Sequence, residues 1–268
     1  MLKLVRNMMI AGKDIAAGIA RFEQVGVLGW QDVRQRYQRS AVGPFWLTVS
    51  MAILIGTVGL VFSQVYRVST REFLPFLACG MIFWGFISST VSEACHSFIG
   101  AEGIIKQLPI PLFVHVLRVI WRNIIILAHN FVIFPIVLVS FSLGMNQNIF
   151  FVIPGFFLLL INLGWVSLAL GIVCARYRDF PQMVNSALQI LIFLTPIMWM
   201  PNSISERIGF YLVQLNPLFH LIDVVRAPLL GQNSAMVSWV VVISMALIGW
   251  IGTLQMYARY KNRIVFWL

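Results

Sequence analysis

The sequence predicts an all-α integral membrane fold: six transmembrane helices per chain, an N-terminal amphipathic interface helix, and a re-entrant helix pair between spans five and six. Three observations carry this reading. Of 268 residues, 60% are hydrophobic and only 10% are charged. The charges gather between long apolar runs, and Lys and Arg are shared unequally among the connecting segments. A soluble domain carries roughly 25% charged and 45–50% apolar residues, so this balance belongs to a chain that uses lipid as its solvent. A disordered chain would be still poorer in apolar residues.

Stretches free of Asp, Glu, Lys and Arg cover residues 40–66, 73–92, 123–175, 180–205 and 227–258. A bilayer core of about 30 Å takes about 20 helical residues, so four of these are single spans. The stretch 123–175 is too long for one span and divides at the polar turn Gly144-Met145-Asn146-Gln147-Asn148, with Pro154 close behind. Six spans put both termini on one side. Fifteen of the 19 Lys and Arg residues fall on that side, leaving Arg67, Arg71, Arg207 and Arg226 outside. The positive-inside rule makes the termini cytoplasmic. It also accounts for the net charge of +10 without a nucleic-acid partner.

The organisation that follows has a cytoplasmic segment 1–42 holding the interface helix, and a transmembrane domain 43–258. Within that domain lie an inner coupling loop 94–118 and an outer re-entrant segment 201–236; residues 259–268 form a cytoplasmic tail. Lys13 and Asp14 interrupt the apolar run from Met8 to Gly12, so no cleavable signal is expected.

Residues 22–39 place Phe22, Gly26, Gly29, Trp30, Val33 and Tyr37 on one helical face, with Gln24, Gln31, Gln35, Arg36 and Gln38 mostly opposite. This is an interfacial helix lying along the inner membrane surface and leading to the first span at Gly43-Pro44, as a plain anchor or as a docking element. In the inner loop, Gly103 interrupts the preceding helix, and Pro109 and Pro111 end whatever short helix lies between. The result is a rigid knuckle suited to receive force from a cytosolic partner, or a tight turn. The outer segment is apolar for an aqueous loop. Its pieces Ile208–Val213 and Leu218–Ile222 flank Asn216-Pro217 and are too short to span, which predicts two re-entrant half-helices.

Catalytic and coupling chemistry is missing from the pattern. There is no Gly-x-x-x-x-Gly-Lys phosphate loop and no GxGxxG. His96, His115, His129 and His220 lie far apart with no nucleophile elbow and no HExxH spacing. Cys79, Cys95 and Cys174 form no CxxC pair and read as small buried hydrophobes. No catalytic residue and no metal ligand is assigned. Ion-coupled carriers keep carboxylates in mid-membrane. Here Glu93 stands at a span end, and the interior offers only neutral groups such as His129, Asn130, Asn162, Asn185 and Gln189. No repeat of three helices is apparent. The driving force must come from outside the chain.

Several blocks carry a resemblance. Gln31-Asp32-Val33-Arg34-Gln35-Arg36-Tyr37-Gln38-Arg39-Ser40-Ala41-Val42-Gly43-Pro44-Phe45-Trp46 resembles the approach to the first span in type-2 ATP-binding-cassette export permeases, especially those exporting O-antigen, capsule or teichoic acid chains. The knuckle from Gly103 to Pro111 resembles that family's coupling helix, and Arg176-Tyr177-Arg178-Asp179-Phe180-Pro181 its loop between spans four and five. Thr195-Pro196-Ile197-Met198-Trp199 and Leu215-Asn216-Pro217-Leu218 resemble its fifth span and outer turn. The similarity covers roughly residues 22–260.

The resemblance implies a homodimeric permease of a bacterial inner membrane. Two copies of a separate cytosolic ATPase would bind ATP and Mg, and a lipid-linked polysaccharide such as the O-antigen of lipopolysaccharide would pass between the protomers. It carries ATPase coupling onto Glu102, Gly103, Lys106, Gln107, Leu108, Pro109 and Pro111, with Arg34 and Arg36 of the interface helix. The knuckle departs from the family pattern: Leu108 stands where an aromatic residue is common, and Ile110-Pro111 where a charged pair is. Its polar contacts are thereby reduced to Glu102, Lys106 and Gln107. Arg176, Arg178 and Asp179 read either as positive-inside anchors or as a structural loop in which Asp179 pairs with an arginine.

A hydrated polymer needs a conduit of hydrogen bonds and ring faces on which sugars pack. Candidates are Phe45, Trp46 and Met51 in the first span, Phe193, Met198 and Trp199 in the fifth, and Phe210 and Tyr211 outside, although Trp and Tyr also form ordinary interfacial belts. Alternatives from other classes are an integral membrane enzyme acting on lipid-linked sugars, a channel or secondary carrier, and, within the family, a small-molecule exporter.

Overall fold

The computed structural model describes residues 2–38, 43, 45–141, 146–201 and 206–268. Among the described residues the regular structure is entirely helical. Two helices precede the apolar region, α1 (Leu2–Ala20) and α2 (Phe22–Tyr37). Then come α3 (Phe45–Tyr66), α4 (Thr70–Ala94), the short α5 (Glu102–Gln107), α6 (Phe113–Phe131) and α7 (Ile133–Ser140). The remainder is α8 (Val152–Arg176), α9 (Phe180–Leu194), α10 (Glu206–Gln214), α11 (Pro217–Leu229) and α12 (Met236–Trp267).

Among the described residues, five stretches are long and apolar enough to cross a membrane: Phe45–Tyr66, Thr70–Ala94, Phe113–Ser140, Gln147–Arg176 and Met236–Trp267. The expected sixth, α9, has only 15 residues, about 22 Å of helix against a core of about 30 Å. Its helix stops at Thr195, extended ahead of Pro196 as the residue before a proline prefers to be. Pro135 explains the join between α6 and α7, because it lacks the N–H that would bond the carbonyl of Phe131. Of the polar turn predicted at 144–148, residues 144 and 145 lie outside the described residues, as do Arg39 to Val42 and Pro44. Asn146 bonds the backbone N–H of Gln147 through its side chain, which starts the approach to α8.

The buried centre is α4. Of its membrane window 78% is buried, whereas α3 buries 17% and contributes only the stripe Ile55, Gly59 and Ser63. Around α4 pack α3, α6, α8 and α11, sharing a core of Phe73, Leu77, Ile82, Ile87, Leu159 and Ile222. A second core lies at the other end of the molecule, where Ala11, Phe98, Phe113, Leu168, Tyr257 and Ile264 join α1 to α6, α8 and α12. All three cysteines are buried and free.

The neutral polar residues predicted in the interior cross-link helices. Asn162 donates to the carbonyls of Leu158 at 2.9 Å and Val242 at 3.2 Å, and accepts from Trp165 Nε1 at 3.0 Å, joining α8 to α12. Ser92 donates to Asn185 at 2.7 Å between α4 and α9, and Thr48 donates to Asn130 at 3.3 Å between α3 and α6. In an apolar medium such bonds are retained because the polar groups have no water to turn to.

Asn216 caps α11 through the N–H groups of Leu218 and Phe219, with Pro217 in the first turn, so the predicted break between two short helices is present. α11 is deeply buried. Arg226, 3% exposed, donates to the Pro196 carbonyl at 2.7 Å and lies 3.9 Å over the Phe76 ring. His220 bonds the Ser238 hydroxyl and the Gln214 carbonyl at 3.0 Å each, and Ser238 donates to Asp223 at 2.7 Å.

Gly155 is the tightest helix approach that a side chain would obstruct through backbone: a Cβ there would lie 2.3 Å from the carbonyl oxygen of Val224 on α11. Gly155→Ala is expected to lower stability by about 1–3 kcal/mol through overpacking. Gly252→Ala, which meets open space, is expected to be neutral or slightly stabilising. Thermal unfolding of the two detergent-purified variants checks this, and equal melting temperatures would contradict it.

Candidate functional site

At one end of the molecule, α2 lies across α6 and is held by an ionic cluster whose members are far apart in sequence. Asp32 accepts from Arg118 through both Nε, at 2.7 Å, and Nη2, and from Arg122 Nη1 at 3.0 Å. Arg122 turns its Nε and Nη2 to Glu93 at 2.9 and 2.6 Å. Glu93 also accepts from Asn123 Nδ2 at 2.7 Å and faces Arg36 Nη2 at 3.1 Å. Three guanidinium groups thus share two carboxylates. The planar, forked guanidinium bridges two acceptors at once, which an ammonium cannot do with fixed geometry.

The helix backbones meet closely as well. A Cβ at Gly29 would come 2.8 Å from the Trp121 ring, and Phe22 packs edge-on to Trp121 at 5.3 Å. Of the face expected for α2, Gly29 and Val33 are buried, joined by Val25, whereas Phe22 and Trp30 are exposed. A periodicity reading assigns large apolar residues to the buried side. Here the partner is a protein helix at close range, so small and β-branched residues face it, while Phe22 meets Trp121 by its edge and Trp30 stays exposed.

The inner knuckle projects from the same end. A single 3₁₀ turn, Ile99–Ala101, leads into α5, and Leu108 N–H bonds the Ile104 carbonyl at 2.9 Å to close it. Glu102 and Lys106 pair at 2.6 Å, one turn apart. The Lys106 ammonium, by hydrogen bond and by charge, holds the Glu102 carboxyl below its ordinary value of 4.5. A depressed carboxyl contributes its stability above the ordinary value and loses it as pH falls through the lower folded value, so the pair is intact throughout the neutral range. Gly103, Gln107, Leu108 and Pro109 are exposed, Pro111 is half-buried, and Leu112 is buried in the second core. Arg34 is exposed and makes no ion pair among the described residues.

The loop between α8 and α9 does not form the Asp179–arginine pair considered above. Arg178 Nη2 donates to the Trp267 carbonyl at 3.2 Å, and Arg176 lies over the Tyr177 and Trp267 rings at 5.3 and 5.4 Å. Both arginines grip the end of α12, while Asp179 stands at the N-cap of α9 without a side-chain bond there.

The candidate pathway residues divide into two groups. Phe45 and Trp46 on α3, Phe193 on α9, and Phe210 and Tyr211 on α10 are exposed on the protomer surface. Met51 is half-buried and lines a crevice of about 650 Å³ between α3, α4 and α6. Met198 packs on the main core, and Trp199 is buried with Val213 and Phe219, its Nε1 donating to the Phe193 carbonyl at 2.9 Å. The ring of Trp199 closes the end of α9 inside the protomer.

Asp32, Glu93, Arg118 and Arg122 were not singled out as site residues in the sequence. The usable signals were the i, i+4 spacing of Arg118 and Arg122 on one face of a span end, and a carboxylate at the end of another. Asp32→Ala would leave the partly buried Arg118 guanidinium without its acceptor and Arg122 on Glu93 alone, and is expected to cost about 2 kcal/mol or more of stability. Arg34→Ala should change stability by less than about 0.5 kcal/mol. A double-mutant cycle on Asp32 and Arg118, read by thermal unfolding, should show coupling; additive effects would contradict the cluster.

The family model described as ABC-2 type transporter matches residues 23–230, a span that includes α2, the knuckle, the arginine loop and the α10–α11 pair. Two relatives from Klebsiella pneumoniae, both O-antigen export system permease proteins RfbA, are 25% and 24% identical to this chain over 211 residues. In each case the match covers 75% of this chain and 78% of the relative. With the model matching most of a multi-pass, all-helical membrane chain, the protein belongs to the ABC-2 type transporter family.

Proposed function

We propose that this chain is the permease subunit of an ATP-driven exporter that moves a lipid-linked, O-antigen-like polysaccharide out of the cytoplasm across a bacterial inner membrane. Family membership implies association with an ATPase subunit. The observation that carries the coupling role is the ionic cluster joining α2 to the ends of α4 and α6 beside an exposed α5. A push on either surface helix is delivered to the central helix α4 rather than absorbed by a loose loop. In this reading Glu102, Gly103, Lys106, Gln107, Leu108, Pro109 and Pro111 meet the partner, with Arg34 at the margin and Arg36 tied to Glu93. ATP and Mg are bound by the partner, and this chain is not an enzyme.

The working unit is a homodimer with two ATPase copies. Among the spans α3 is sparsely covered, and Pro181 is the one buried residue of α9. A second protomer facing them would enclose the rings of Phe45, Trp46, Phe193, Phe210 and Tyr211, on which sugars can pack. Met51 lines the approach, and Met198 and Trp199 set the end of α9. The sixth crossing is α9 extended by the apolar segment 195–200, with α10 and α11 as the re-entrant pair. Both termini are cytoplasmic: Lys and Arg concentrate on that side, and α1, α5 and the end of α12 share one groove. The similarity to two O-antigen export permeases favours a polysaccharide over a small hydrophobic compound.

Replacing the catalytic carboxylate of the partner ATPase should abolish export and accumulate lipid-linked polymer on the cytoplasmic leaflet, measured by surface labelling of the polysaccharide. Continued surface display would refute the reading. Unchanged polysaccharide export together with loss of drug efflux would point to the small-molecule alternative.

A further inference from the structure

The charge-free stretch of α12 ends at residue 258, yet the helix runs unbroken to Trp267. Its 32 residues make about 48 Å at about 1.5 Å each, well beyond a bilayer core of about 30 Å. Arg259, Lys261 and Arg263 form a basic collar of the kind that marks the headgroup zone. Past the collar the helix turns apolar again, with Ile264, Val265, Phe266 and Trp267. Ile264 is buried, but Phe266 is 87% exposed. Val265 and Phe266, both exposed, form with Leu108 and Pro109 a contiguous apolar patch past the collar, and such patches mark protein contacts.

The end of α12 is firmly held. Besides the Arg178 bond and the Arg176 contact to Trp267, the ring of Tyr260 packs on Trp267 at 5.5 Å. On the opposite flank, Lys261 pairs with Asp14 of α1 at 2.6 Å. A groove of about 400 Å³ sets Val265 and Phe266 across from Leu108 and Pro109 of the knuckle. Leu108 is itself 52% exposed. Lys106 and Lys261 are balanced by Glu102 and Asp14, whereas Arg259 and Arg263, exposed on α12, make no ion pair among the described residues and leave that helix end with a positive excess.

We infer that the end of α12 is the second wall of the surface on which the ATPase subunit docks. An apolar projection of that subunit seats between Leu108 and Phe266, and acidic side chains around it meet Arg259 and Arg263. The inference rests on the coupling role of α5 proposed above and extends it. The occupant is the ATPase because the groove is continuous with α5, opens on the cytosolic side of the collar, and belongs to a family whose members associate with such a subunit. The partner's motion then reaches the membrane by two routes. One runs through α5 to α4 and α6, and the other through α12 and the arginine loop to α8 and α9.

The test uses the full permease co-expressed and purified with its cognate ATPase. Leu108→Cys and Phe266→Cys are each labelled with a benzophenone maleimide and irradiated; the native cysteines are buried. Crosslinks from both positions to the ATPase are the expected result. A crosslink from position 108 alone, with position 266 reaching only lipid or nothing, overturns the inference and leaves the α5 role standing. Failure at both positions overturns both. In addition, Phe266→Ser should weaken ATPase association about tenfold while leaving the permease's melting temperature unchanged, as truncation of an exposed interface anchor does. Unaltered association in that folded variant overturns the inference.

Discussion

The structure depends on the sharing of two carboxylates by three guanidinium groups where α2 crosses the end of α6. Without Asp32 and Glu93, Arg118 and Arg122 would place two charges against apolar neighbours with no acceptor, a costly state in a partly desolvated setting. With them, a surface helix that could have floated at the lipid boundary becomes fixed to the protein's centre. The close approach at Gly29 shows that the fixation is steric as well as ionic. Attraction brings α2 down, and the missing side chain lets it settle at one register.

Rigidity is unevenly distributed. α4, α8, α11 and α12 form a block in which glycine contacts, Asn162 and the Arg226–Pro196 bond leave little room for adjustment. α3 and α9 hang on its flanks by narrow stripes and by single hydrogen bonds such as those of Asn130 and Asn185. In a close-packed interior, displacement is easiest where few contacts must be remade. The proposed pathway lies beside the two helices that are least encumbered. The proposed points of force reach the block at Glu93 of α4 and at the end of α12.

Much of this was legible in the chain. Charge-free stretches marked the spans because lipid penalises charge strongly, and Asn216-Pro217 announced its turn because that pair both caps and starts a helix. The knuckle was visible through Pro109 and Pro111, whereas Gly103, read as ending the helix before it, lies within α5, and that helix already stops at Ala94. What escaped were features fixed by tertiary pairing. Asp32 meets Arg118 across 86 residues, a distance over which no local pattern operates. The contact face of α2 is set by a protein neighbour, so Val25 joins Gly29 and Val33 in it, which an amphipathic reading did not reveal. The length of α9 was overestimated because an apolar run does not reveal that Thr195 and Pro196 leave the helix. α1 went unnoticed because Asp14, which interrupts its apolar run, is the very group that anchors it.

That anchor has a bearing on how the molecule is made. Asp14 accepts the hydroxyl of Tyr257 at 2.5 Å across 243 residues, so α1 leaves the ribosome long before the helix it must grip. Throughout synthesis it waits without its partner, and the second core cannot close until α12 has been inserted. Such a contact, among the most non-local the chain can form, belongs to the last stage of assembly. It joins the first described helix to the last, and so acts as a latch that closes only once both are in place.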